Sequence, residues 1–195
     1  MTLFSDLRKL GRGSRGPDRR FGTGLWRQHH DRFLRAVDRY YATSAAIAEA
    51  SGSSAARAGA ETSASSTAGI SAETTGSIGV SERIAAGTHR LNDLVPVLDD
   101  IVEWLHTHHP VDGQVVPAQV RSVVGDAPEL LGRASAKVAE AVLAASMART
   151  ELLAGRPASS SAQACERFIA DAADLVGRVR SGLPVGGLRS GPDWR

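Results

Sequence analysis

The side chains of this 195-residue chain with the most chemistry in reach are six histidines, at positions 29, 30, 89, 106, 108 and 109. Neutral imidazoles with carboxylates nearby are good ligands for zinc, nickel or iron. His106 and His109 stand at i,i+3, which puts both on one face where a helix continues that far. His29 and His30 belong to a different segment. A shared site therefore needs the two segments side by side and antiparallel, with Asp31, Glu103 and Asp112 near the same end. The metal-ligand set this suggests is His29, His30, His106 and His109, holding a divalent transition metal. The same residues have a structural use. Imidazoles at a helix C-terminus interact with the exposed carbonyls and the helix dipole, and they make a junction sensitive to pH. Glu103-x-x-His106 is half of a di-iron carboxylate signature, and the chain holds no second copy. HExxH is absent as well. The leading reading therefore includes no cofactor.

A second candidate is the basic amino-terminal arm. Arg8, Lys9, Arg12, Arg15, Arg19 and Arg20 can contact an anionic partner by charge alone, with steep salt dependence if that partner is nucleic acid. Leu3, Phe4, Leu7 and Leu10 have the spacing of a short amphipathic helix, which suits a membrane surface instead. The arm lacks the interleaved aromatics of a single-strand stacking platform, and its ordinary reading is a solvated tail. Asp99, Asp100 and Glu103 form an acidic patch. With Leu98, Ile101 and Val102 on the apolar stripe, these acids are expected to face solvent. Cys165 lies on an apolar face, where a free thiol behaves as a small, unreactive hydrophobe. Trp26, Tyr40, Tyr41 and Trp104 read as packing. Gly11-x-Gly13-x-x-Gly16 matches a nucleotide fingerprint by letter, but it follows no strand and opens no helix.

Four helices would have to position these groups. Leu25–Ala50 has one apolar stripe, Trp26, His30, Phe33, Leu34, Val37, Tyr40, Tyr41, Ala45 and Ile47, and the pairs Arg27/Asp31 and Asp31/Arg35 opposite. Ser81–His108 follows, with Pro96 predicting a kink or break near Leu94. A third helix runs to about Ala154 behind Asp126-Ala127-Pro128-Glu129, which has the letters of a capping box, and Pro117–Val124 is a short helix before it. A fourth runs to about Ser181 behind a similar pattern, Ser160 to Gln163. Between the first two, Ser, Ala, Gly and Thr fill 24 of the 29 positions in 51–79, too little apolar area to offset ordering entropy. That tract is expected to be a flexible connection whose alanines extend either neighbour by a turn or two.

The expected fold is all-α: a four-helix bundle, antiparallel in its simplest form. Residues 1–24 form a basic flexible arm, 25–182 the bundle with the 51–79 tract inside it, and 183–195 a flexible tail. Composition excludes several classes. One cysteine rules out a disulfide scaffold, and no apolar run approaches a membrane span. The first twenty residues contain no continuous apolar run of a secretory signal, so a cytoplasmic protein is expected. Arginine outnumbers lysine 21 to 2, as in a GC-rich bacterial coding sequence. The net charge of +2 divides unevenly, with ten basic and four acidic residues in 1–40. The expected function is a non-enzymatic protein–protein interaction or structural module. It would self-associate or bind another protein through exposed parts of the stripes, the Ala-rich face around Ala134–Ala148, or the tails. Two other readings compete: a metal-binding or pH-responsive histidine pole, and a tether to membrane or nucleic acid through the arm.

Overall fold

Rods with an apolar stripe can hide it only against one another. The computed structural model describes residues 16–61 and 67–184, with the backbone path alone at Pro17 and over 53–78. Every regular element among them is a helix: α1 (Pro17–Phe21), α2 (Leu25–Glu61), α3 (Thr67–His108), α4 (Ala118–Val124), α5 (Ala127–Leu153) and α6 (Ser159–Gly182). None is long and apolar enough to cross a membrane. The expected helix at 1–10, with Arg8 and Lys9, lies outside the described residues, as do Arg12, Arg15 and residues 185–195.

The four long helices form a bundle in the spatial order α2, α3, α6, α5, with α3 and α5 across one diagonal. Consecutive helices alternate in direction. Trp26 meets His109 and Tyr40 meets Ile84, so α2 and α3 are antiparallel. Ser161 meets Glu151 and Lys137 meets Asp171, so α5 and α6 are antiparallel too. Between these two hairpins the neighbours are parallel. Arg83 reaches Glu166, and one turn on Gly87 lies against Ile169, so α3 and α6 run the same way. The α3–α5 connection, carrying α4, therefore passes diagonally across the pole where α2 begins.

The core is one cluster. From α2 it takes Trp26, Phe33, Val37, Tyr40 and Ile47, and from α3 Ile84, Leu91, Leu98, Ile101 and Leu105. The α5–α6 pair has the most extensive interface. Ala134, Ala141, Ala145 and Ala148 of α5 face Ala162, Cys165, Ile169 and Ala172 of α6, all buried. Small side chains let the two backbones approach closely. The Ala-rich face expected as an association surface is thus spent inside the bundle.

Several expectations need correction. The tract at 51–79 has helical backbone on both sides of residues 62–66, not a flexible path throughout. Alanine is the strongest local helix former, and Ser51 and Ser81 join α2 to α3 by a hydroxyl–hydroxyl bond of 2.5 Å. Of the kink or break expected at Pro96, the break does not occur: α3 is one helix through that residue, whose side chain is exposed. Neither capping pattern caps. Asp126 makes no side-chain cap bond, its backbone at φ −88°, ψ 13° being close to helical, and α6 begins at Ser159, which puts Ser160 inside the helix. Of the arm, residues 16–24 are described, and they pack on the bundle: Phe21 is 1% exposed. At the other end, Leu183 is buried and closes α6.

Candidate functional site

Two places bring chemistry-bearing groups together: the pole where α2 begins and α3 ends, and the outer side of α5.

At the pole, α1 folds back on α3. Pro at its first position and Asp18 in its first turn suit a helix start, and Gly22 at φ 68° ends it. Phe21 then stacks on the His30 ring, centroids 4.2 Å apart. Arg20 donates from Nε to Glu103 at 2.5 Å and from Nη1 to Asp99 at 3.1 Å, with Asp100 at 3.8 Å. The acidic patch is therefore partly covered by a docked arginine, with the Asp99 side chain 20% exposed and that of Glu103 39%. Burial of Arg20 works against its charge, but the hydrogen bond to Glu103 and the fields of the aspartates outweigh it and hold the guanidinium above its ordinary pKa. Next to this cluster, Arg27 bonds Asp31 and Asp18. Burial of Asp31 opposes its ionisation, yet the bonds from Arg27 and His30 hold its carboxyl below the usual range.

The pole gathers five histidines, but their rings go to different partners. His30, 4% exposed, places Nε2 2.7 Å from Asp99 Oδ1 and Nδ1 3.2 Å from Asp31 Oδ1. His106 lies against Gly22, where a Cβ would stand 2.5 Å from its ring. His108 stacks on Trp104 at 4.7 Å and shares a 2.9 Å bond with the Trp104 carbonyl. His109 also lies tilted against that indole, and its carbonyl accepts from Trp26 Nε1 at 2.8 Å. His89 is exposed elsewhere on α3. The proposed set of His29, His30, His106 and His109 does not converge: among the described residues, no three His, Cys, Asp or Glu side chains are placed to hold a metal ion. Within that set, His30 is held by Asp99 and Asp31, His109 lies beside the Trp104 indole, and His106 lies against Gly22. Of the basic arm, Arg20 is committed to the acids of α3 and Arg19 is exposed.

His29 faces the other way, toward α5, with its Nδ1 buried and without a hydrogen-bond partner among the described residues. Burial first, then Arg32, push its pKa below the ordinary 6.5, and Glu129 opposes them in part. The folded chain resists a proton that the unfolded chain accepts. As pH falls through 6.5, this residue therefore subtracts stability, and above that value it does not. His29→Gln is expected to lose less of its urea midpoint than the wild type between about pH 7.5 and pH 5.5. An equal or greater loss in the variant would contradict this.

In the core, Tyr40 Oη donates to the Ile84 carbonyl at 2.8 Å and lies 3.1 Å from Cys165 Sγ. Burial pushes both the phenol and the thiol up, so each stays protonated and inert at neutral pH.

The outer side of α5 is the feature that periodicity alone did not reveal. Ala136, Ala139, Leu143, Met147 and Thr150 are all exposed and follow one another at three- and four-residue steps. Leu143 is 66% exposed and Met147 60%. Along one edge of this stripe runs a groove of about 360 Å³ between α5 and α6, with Arg133, Lys137 and Glu140 on one wall and Asp171, Asp174 and Arg178 on the other. Lys137 is tied to Glu140 at 2.7 Å and to Asp171 at 3.7 Å. A helix apolar on two opposite sides was the available signal: Leu143 and Met147 fall outside the stripe of Leu131, Val138, Ala145 and Leu152.

Comparison with known proteins gives no match, whether to a family model, a curated protein or a solved structure.

Proposed function

We propose that the chain is a protein–protein interaction module, a helical bundle that presents the outer side of α5 to a partner. One observation carries this reading. Of the five large apolar side chains exposed among the described residues, Leu143, Met147 and Leu153 belong to α5, and the first two are adjacent on its surface. Single exposed apolar residues are ordinary; an aligned run on a helix that already buries its other side is not. At the pole, by contrast, Arg20, Arg27, His30, Asp31, Asp99 and Glu103 satisfy one another.

A photo-crosslinking residue in place of Leu143 tests the reading in native lysate. An adduct of discrete mass is expected from that position, not from exposed Arg90 on α3, and it should be lost when Met147→Glu is added. Absence of any position-dependent adduct refutes the reading.

A second reading, a pH-responsive helix junction, is favoured by the buried, unpartnered Nδ1 of His29. The urea comparison on His29→Gln decides it.

A further inference from the structure

We propose that the partner of the α5 face is α5 of a second copy of this chain, packed antiparallel about a two-fold axis beside Leu143; this rests on the interaction reading and names its occupant. The argument is self-complementarity. A two-fold interface sets residue i opposite residue j, and j opposite i. Ala139 and Met147 lie four residues on either side of Leu143, and Ala136 and Thr150 lie seven. In an antiparallel pair each small alanine therefore receives the larger side chain of the other copy, the knob-and-hole relation that close helix packing requires. A parallel pair would set methionine on methionine and alanine on alanine.

Charge agrees with the same axis. Arg133 stands ten residues before Leu143 and Glu151 eight after it, and helical periodicity puts both on the edge of the stripe that borders α6. A two-fold axis perpendicular to the helices keeps that edge on the same side in both copies. It brings Arg133 of one copy to Glu151 of the other, twice per dimer. Arg133 is exposed and has no ion pair among the described residues. Glu151 accepts one hydrogen bond, from Ser161 Oγ at 2.7 Å, and keeps acceptor capacity for a guanidinium. Opposite charges at symmetric positions favour this register over slipped ones.

Sedimentation velocity on the full chain tests the proposal. One helix from each copy makes a small interface, so dissociation in the range of about 10–100 µM is expected. Arg133→Glu sets two carboxylates against each other and should weaken the dimer about tenfold or more. The exchange Arg133→Glu/Glu151→Arg should restore it to within about threefold of wild type, which a merely damaged fold would not do. Leu143→Cys should link two copies under mild oxidation, and Leu153→Cys, off the axis, should not. A chain monomeric to about 0.5 mM, or a charge exchange that fails to rescue, overturns the dimer. If the chain is monomeric but Leu143 still crosslinks to a protein of another mass, the interaction reading stands without it. If Leu143 yields no adduct at all, both fall.

Discussion

Trp26→Ala is expected to lower the unfolding free energy by about 3–5 kcal/mol, the largest effect of any single truncation at the pole. The indole is 1% exposed at the first turn of α2. Its removal leaves a cavity that surrounding helices cannot close, because the pole is also pinned by Leu25 N–H to the Val111 carbonyl at 3.0 Å. It also takes away the donor to the His109 carbonyl, the bond that ties the end of α3 to the start of α2. Trp26→Phe restores most of the volume but not the donor, and its loss should be smaller by about 2 kcal/mol or more. Urea denaturation of the three proteins measures this directly. A loss below about 1 kcal/mol for the alanine variant would show that the pole does not hold the hairpin together.

The second large effect is expected at a residue with no side chain. Gly24 passes under the connection between α3 and α4, and a Cβ there would overlap the Val111 carbonyl oxygen and stand 2.8 Å from its carbon. These are backbone atoms, so no rotamer change relieves the clash. Gly24→Ala should therefore destabilise by about 3 kcal/mol, at the upper end for overpacking. Gly177, in the exposed part of α6, has nothing within 4 Å of the same hypothetical atom. Gly177→Ala should instead stabilise by about 0.5–1 kcal/mol through the helix preference of alanine. Opposite signs for one substitution at two glycines test the described path of the chain at the pole. Equal signs would contradict it.

Both effects concern the junction of arm, helix start and helix end, which is also where reading the residues in order succeeded least. The arm at 16–24 carries one buried aromatic, Phe21, among charges and glycines. Nothing in its spacing marks Phe21 as core, because a five-residue helix has too few turns to show a stripe. The stripe of α3, taken alone, assigns Asp99, Asp100 and Glu103 to solvent. They do lie off that stripe, but a segment nearly 80 residues earlier in the chain folds over them.

Long periodic segments were a different matter. Their composition and three-to-four-residue recurrence are local properties, so the all-α class, four long rods and most of the core follow from the residues themselves: Phe33, Val37, Leu98, Leu105, Val138, Ile169 and Val176 are buried as their positions require. Juxtaposition of the histidines at one pole follows as well, once consecutive rods are antiparallel. Whether two imidazoles at one pole share a ligand depends on ring directions and on what else enters the space, and only the tertiary structure decided that, sending His29 to α5, His30 to Asp99 and His106 to Gly22. The same holds for α5. Two apolar sides were present in its residues, but which is covered depends on where α2 and α6 settle, because burial is a relation between segments far apart in the chain and periodicity records only one segment at a time.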